Sequence, residues 1–326
     1  MSHYKYALSF LHDLIESHKI ADIQALGLIC VHLRSFQKPG AAWVVTSTAL
    51  NLAIELGLHR SVKALEGESI KGSPNGLEMR KRIFWTILSI HVGLCGKLGR
   101  PIPIRMEDID VELPEPHHDN LDSENSTLSE FRKCSFRVGI LVQKLSAVFL
   151  QLYSTIYTVK GLGSTAYERK VRELEKEIAS WRISIPQELR EEAQTAEEDR
   201  ISALYTQLWD LEFQLALHHP ALCRSTNDTF IESNLNKCLD ATTNILRVVA
   251  DLWKYRSLDY TWLNFTTYLA AIFTTLYIYS QRKDQITSSD VIKLKQDMEL
   301  WLRILGDLGV SLSKELFSYN TGIISG

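Results

Sequence analysis

Residues Ala41–Ser61 read AAWVVTSTALNLAIELGLHRS, and residues Glu78–Pro114 read EMRKRIFWTILSIHVGLCGKLGRPIPIRMEDIDVELP. In the first run Trp43, Thr46, Leu50, Ala53 and Ile54 recur at helical spacing, and Gly57 ends the pattern. Glycine tolerates the left-handed conformation that closes helices. In the second run Ile83, Ile87, Ile90 and Leu94 recur at steps of three and four, which predicts a long helix over Leu77–Leu98. Gly93, Gly96 and Gly99 weaken its end, and Pro101 and Pro103 force an extended path. From Met106 to Leu113 the pattern alternates. Ile109, Val111 and Leu113 fall on one side, and Asp108, Asp110 and Glu112 on the other, as in a short extended segment with one buried face.

The same helical period governs the rest of the chain. Tyr6, Phe10, Leu14 and Ile15 share a face, as do Ile23, Leu26, Cys30 and Leu33, with Asp22 near the start of that second helix. Lys38-Pro39-Gly40 breaks the chain before the third. Further helices are expected over about Leu128–Val159, Ala166–Trp181, Ile201–His219, Asp228–Lys254, Tyr260–Gln281 and Ser288–Leu308, with Ser289 and Asp290 as N-caps of the last. Glu66–Gly76, which contains a candidate phosphorylation site at Ser73, and His117–Thr127 read as loops; Glu191–Asp199 reads as an acidic connector. The fold class is all-α, a multi-layer bundle of antiparallel helices with a short extended segment after Gly99-Arg100-Pro101.

Composition bounds the function. The chain has 326 residues, 45% hydrophobic and 23% charged, which suits a sizeable core. A net charge of -3 lacks the basic excess that phosphate neutralisation demands, so these residues are not expected to grip nucleic acid themselves. The five cysteines, Cys30, Cys95, Cys134, Cys223 and Cys238, form no CxxC pair and fit reduced thiols. The longest apolar stretch, Tyr268–Tyr279, is shorter than a membrane span and reads as a core helix. There is no secretory signal pattern at the N-terminus, and the ending SYNTGIISG reads as a cut through a longer chain.

Candidate chemistry is sparse. His117-His118 and His218-His219 are adjacent pairs rather than the i, i+4 ligands of a zinc helix, so no metal site is expected. His59 and Arg60 read as side chains meeting the exposed carbonyls of a helix end. Arg80 and Arg82 point to different sides of their helix, and an internal ion pair is the first expectation for them. Arg100, at the turn into the extended run, needs carboxylate or carbonyl partners, for which Asp108 and Asp110 are the nearest acids. Trp262, Phe265, Tyr268, Phe273 and Tyr277, interleaved with threonines, are candidates to line an apolar pocket. A helical enzyme would need converging carboxylates and histidines, and nothing in the sequence favours one.

The anchors Ala42-Trp43, Ala53, Gly57-Leu58-His59, Arg80 to Arg82, Phe84-Trp85, Gly99-Arg100-Pro101 and Leu113-Pro114, in this order, resemble the middle homology region of fungal binuclear zinc-cluster transcription factors. Trp181 with Pro186 and Leu189, and Leu217-His218-His219-Pro220, are weaker echoes. One departure is His91-Val92, where that family commonly has Asp-Arg. The resemblance implies a single helical regulatory domain over residues 1–326 with a family-like core at 41–114, non-enzymatic and nuclear. It implies no cofactor in this chain; zinc is expected only in a DNA-binding module upstream of Met1. The implied partners are a small hydrophobic effector, transcriptional coactivator or mediator proteins, and DNA through that upstream module, with a homodimer in the full-length protein and no membrane. The alternative is a protein-interaction scaffold of the same fold without a DNA-binding module.

Overall fold

The computed structural model describes residues 2–35, 40–62, 74–116, 131–190, 197–259 and 261–324. The loop positions 66–73, including Ser73, the segment 117–127 and the acidic residues 191–196 lie outside the described residues. All regular structure within them is helical, as the sequence pattern requires. In chain order the helices are α1 Ser2–Ser9, α2 Leu11–Glu16, α3 Ile20–Leu33, α4 Gly40–Glu55, α5 Pro74–Leu98 and α6 Arg137–Thr155. They continue as α7 Ser164–Ile183, α8 Glu197–His218, α9 Ala221–Arg224, α10 Asp228–Lys254, α11 Trp262–Gln281 and α12 Ser288–Ile324.

The residues gather into two compact units. One comprises Tyr6–Gly161 with Leu174–Gln187, and the other Met1–Lys5, Leu162–Glu173 and Glu188–Gly326. In the first unit α3 packs on α4, α4 on α5 and α5 on α6. Its core holds Ile23, Leu26 and Cys30 of α3, Ala49, Leu50 and Ala53 of α4, Phe84 and Leu88 of α5, and Leu150 and Leu152 of α6. Burying each large side chain of this kind contributes about 1.5–3 kcal/mol. Trp181 is locked to α6 by an indole N–H donated to the Leu141 carbonyl at 3.0 Å. Close approach of α5 and α6 depends on Gly96: a Cβ there would lie 2.1 Å from the Tyr153 ring.

In the other unit α10 carries the largest buried face, from Asn234 to Leu252, and packs on α8, α11 and α12. His218 meets Asn234 at one end of the α8–α10 seam and Arg200 meets Tyr255 at the other, so the two helices are antiparallel. Tyr268 of α11 faces Trp301 of α12 with ring centroids 5.9 Å apart. The Asn227 side chain caps α10 by accepting from the Phe230 N–H at 3.2 Å.

Several sequence expectations are refined. The short extended segment after Arg100 is ordered coil interrupted by a 3-10 turn at Met106–Asp108, and no strand occurs among the described residues. Val111 and Ile104 are buried, but the backbone hydrogen bonds of Asp110 and Val111 go to a loop carbonyl rather than to a ladder. The first expected helix is split at Phe10, and Tyr6, Phe10 and Ile15 remain exposed. The helix expected from Leu128 starts at Arg137, after a turn in which the Cys134 carbonyl accepts the Arg137 N–H. The cap of α12 is Thr287. Its hydroxyl accepts from the Asp290 N–H while Asp290 accepts from the Thr287 N–H, a reciprocal capping box.

By length and composition one described helix, α6, could cross a membrane. Its apolarity is accounted for by a face that buries Ile140, Leu141, Leu145, Val148 and Leu152 in the first unit.

Candidate functional site

Several of the ordered anchors meet at the end of α4, whereas Trp43 and Arg100 meet at its start. Gly57 adopts φ 65°; the Leu58 N–H reaches the Ala53 carbonyl and the Gly57 N–H that of Ile54, both at 2.9 Å. This is the Schellman pattern, and Leu58 is buried by it. The remaining carbonyls of Leu56 and Gly57 are met from another helix: the Arg80 guanidinium of α5 approaches them at 3.5 and 3.3 Å. A cation therefore sits at the negative end of the α4 dipole. It comes from α5 and not from His59, as the sequence suggested. His59 packs its ring near Phe84, and burial lowers its pKa, so its side chain is neutral at pH 7.

The His59 carbonyl does the next tie. It accepts from the N–H groups of Asp110 and Val111, at 3.2 and 3.1 Å. The Asp110 carboxylate returns the contact by accepting from Arg60 Nε at 3.0 Å and the Ser61 N–H at 2.7 Å. Those bonds, Arg60 first, hold the Asp110 carboxyl below the usual carboxylate range. Ser61 donates to Glu112, and the Trp85 indole N–H donates to the Glu112 carbonyl at 3.1 Å. One stretch of coil, Asp110–Glu112, is thus stitched both to the end of α4 and to the middle of α5.

Arg82 fulfils the ion-pair expectation through Glu78, 3.1 Å away on the same helix face, with both side chains largely buried. Glu78 also accepts the Glu115 N–H just beyond Leu113-Pro114, and the Arg82 guanidinium lies over the Phe136 ring. Phe84 and Trp85 are buried edge to face beneath this layer.

The Gly99-Arg100-Pro101 turn repeats the α4 solution. Gly99 has φ 62°, and the Arg100 N–H reaches back to the Cys95 carbonyl at 2.9 Å. Arg100 itself differs from expectation. Its side chain is exposed and lies over the Trp43 ring at 5.2 Å, a cation–π contact, whereas Asp110 is taken by Arg60 and Ser61, and Asp108 accepts from the Arg105 N–H. Sequence proximity pointed to the wrong partner because the 3-10 turn redirects both acids. Beneath Trp43, His91 and Cys95 form a buried pair 3.3 Å apart at i, i+4. Burial pulls the His91 pKa down to about 4, so a neutral imidazole stands at this departure from the family pattern.

The five candidate pocket aromatics are not brought together. Trp262 and Phe265 stack on each other, half-buried, with centroids 5.4 Å apart. Tyr268 is in the core, whereas Phe273 is 64% and Tyr277 43% exposed. Helical geometry separates them, since Phe273 and Tyr277 lie on the side of α11 opposite Tyr268. Beside Trp262 and Phe265, Thr267 donates to Glu212, and Tyr205 ties down the α10–α11 loop through Ser257 and Asp259.

Among the described residues, no group of three or more His, Cys, Asp or Glu side chains is placed to hold a metal ion. His117-His118 lies outside the described residues. His218 is buried between Asn234 and Gln214, and His219 sits by the Leu215 carbonyl near the end of α8.

The fold and this set of ties define an all-helical module in which, among the described residues, many of the family-like anchors sit at helix ends. Residues 1–183 match the fungal specific transcription factor domain, and the chain belongs to that family. The chain is 28% identical to Activator of stress genes 1 of Saccharomyces cerevisiae over 67% of its length and 23% of that protein's. It is 27% identical to an ABC-transporter-regulating transcription factor of Aspergillus fumigatus over 58% of its length and 21% of that protein's. With Activator of stress genes protein 1 of Candida albicans it shares 22% identity over 94% of the chain and 36% of the relative. The chain therefore spans between about a fifth and a third of these relatives. No solved structure matches it significantly. Transcription regulation is the class of function that this family carries.

Proposed function

We propose that residues 1–326 are the regulatory part of a fungal zinc-cluster transcription factor acting on RNA polymerase II transcription in the nucleus, without catalytic activity of its own. The supporting observation is that Gly57, His59, Arg80, Trp85 and the Asp110–Glu112 coil, scattered over the sequence, are tied together inside the family-matched region. In this reading a ligand or partner that binds the tied arrangement differently from an untied one shifts the balance between them. DNA contact belongs to a zinc module encoded outside these residues, and coactivator or mediator proteins are the readout.

The effector is a small hydrophobic molecule. It docks beside the stacked Trp262 and Phe265, near Tyr268, with Thr267 and Glu212 as polar anchors. Phe273 and Tyr277 are not part of this reading, because they point away from Tyr268.

Reading the native transcript upstream of Met1 tests the assignment. An in-frame Cys-x2-Cys-x6-Cys half-cluster with its partner half supports it, and its absence turns the function to a protein-interaction scaffold. The effector reading is tested by thermal-shift and calorimetric titration with hydrophobic metabolites against the wild type and Trp262→Ala. No melting shift and no heat across the panel would remove it.

A further inference from the structure

We propose that Ser135 is phosphorylated by a serine kinase that selects basic residues ahead of its target, and that the phosphate is held by the arginines at the start of α6. This goes beyond the regulatory reading and does not depend on it. Residues Phe131–Arg137 read FRKCSFR. Arg132 and Lys133 stand three and two residues before Ser135, and the apolar Phe136 follows it. No other serine or threonine of the chain has an Arg or Lys at both of those positions. A kinase whose peptide cleft carries acids at the matching subsites picks out its substrate by this charge pattern.

The fold leaves the hydroxyl within reach. Ser135 is exposed, in the turn that leads into α6, and Cys134 is the one wholly buried side chain of Phe131–Arg137. The turn is held by long backbone bonds. The Cys134 N–H donates to the Phe131 carbonyl at 3.4 Å, and the Arg137 N–H to the Cys134 carbonyl at 3.3 Å. Opening the turn for a kinase cleft withdraws one small side chain from the core and leaves the body of α6 paired, a local opening that global unfolding does not have to accompany. There the γ-phosphoryl of ATP passes to Ser135 Oγ. The bond from the γ-phosphorus to the bridging oxygen breaks, the Oγ–P bond forms, the hydroxyl proton goes to the kinase's carboxylate base, and ADP leaves.

The same geometry provides for the product. Arg137 folds back over the turn, with its guanidinium 5.5 Å from the Phe131 ring centroid and its Nη1 donating to the Arg132 carbonyl at 3.2 Å. Arg82 of α5, which it shares with Glu78, touches both neighbours of Ser135: its Nη2 lies 3.9 Å from the Cys134 Sγ and its guanidinium 5.0 Å from the Phe136 ring centroid. Arg132 and Lys133 complete a basic surround. Helix α6 also opens with no acid in its first turn, and its N-cap, Phe136, offers no side-chain acceptor. A phosphate brings about −1.5 to −2 charges and three acceptor oxygens to this place, where arginines and the positive end of a helix both favour it.

The test is phosphorylation of the purified, folded 326-residue chain with ATP, by a kinase selective for basic residues and, separately, by one selective for acidic residues, with the sites mapped by mass spectrometry. The first kinase is expected to modify Ser135 at least about tenfold faster than the second, and Arg132→Gln combined with Lys133→Gln to remove that advantage. In phosphorus-31 NMR the phosphate is expected to titrate below its ordinary second value of about 6 and to move back toward it in Arg137→Gln. Far-UV circular dichroism checks that the variants fold. Should they not, the site mapping and the titration on the wild-type chain decide alone. A folded chain whose Ser135 stays unmodified, modification only after denaturation, equal rates with both kinases, or a phosphate that titrates at its ordinary value would each overturn the proposal.

Discussion

Arg80 of α5 donates to the Gly57 carbonyl at 3.3 Å, so the cation that finishes helix α4 is supplied by the next helix in the chain. The contact links two anchors 23 positions apart in the sequence. It makes the end of one helix depend on the placement of another, and it predicts an energetic cost. Arg80→Met keeps the aliphatic stem and removes the charge. It should destabilise the chain by about 1–2 kcal/mol, from the lost charged hydrogen bonds and the lost dipole complement. Denaturant unfolding of the two proteins measures it, with Arg80→Lys expected to fall between them.

Gly57 and Gly96 are both needed, for different reasons, and substitution by alanine separates them. At Gly57 nothing lies within 4 Å of a new Cβ, so Gly57→Ala costs only the left-handed backbone, about 1–2 kcal/mol. At Gly96 the new Cβ meets the Tyr153 ring, so Gly96→Ala overpacks the α5–α6 contact at a cost of about 1–3 kcal/mol. A double mutant with Tyr153→Ala should recover part of the Gly96 cost and none of the Gly57 cost, which a thermodynamic cycle resolves.

His91 makes stability depend on pH in a window below neutrality. Its imidazole titrates near 6.5 in the unfolded chain and near about 4 when folded, because burial opposes the charge. The unfolded state then binds more protons between these values, so stability is full above about 6.5 and falls as the pH drops toward 4. The loss attributable to this group is on the order of 3 kcal/mol. Replacing His91 by Gln should flatten that part of the curve. Unfolding free energies measured across the window for both proteins decide it; an unchanged slope would contradict the assignment.

Asp110 acts with the same sign at lower pH. Its carboxyl is held below the ordinary value by Arg60 and the Ser61 N–H, so its contribution is present above about 3.9 and lost as the pH falls through the lower folded value. Asp110→Asn should be less stable than the wild type at pH 7 and should approach it in strong acid. Acid-unfolding curves that stay parallel throughout would refute this.

In the other unit the Tyr205 hydroxyl donates to the Ser257 carbonyl at 2.6 Å and accepts from the Asp259 N–H at 2.8 Å. Tyr205→Phe leaves both loop groups without that partner and should cost about 1–3 kcal/mol. Amide hydrogen exchange should localise the change to the Asp259 region.

Most helices were legible because burial on one face writes a period of 3.6 into the sequence. The boundaries near Phe10 and Phe136 were not, since apolar periodicity runs through both breaks. The extended run after Arg100 keeps Val111 buried as its alternation implies, but the N–H groups of Asp110 and Val111 share a single carbonyl and no strand among the described residues pairs with the run. The pocket aromatics were grouped by density in sequence, which does not register which side of α11 each occupies.

The sequence by itself determined that the chain is all-helical, where α4 and α5 turn at Gly57 and Gly99, and which residues mark it as a member of its family. Those properties depend on local backbone preference and on a repeating apolar face, both of which are written within a few turns of chain. Only the tertiary structure decided the partners: Arg80 for the end of α4, Arg60 and Ser61 for Asp110, Trp43 for Arg100, and open solvent for Phe273. Each of those contacts, or its absence, joins positions that local spacing does not relate. It is fixed by how the helices pack around the core, information that no window of the sequence contains.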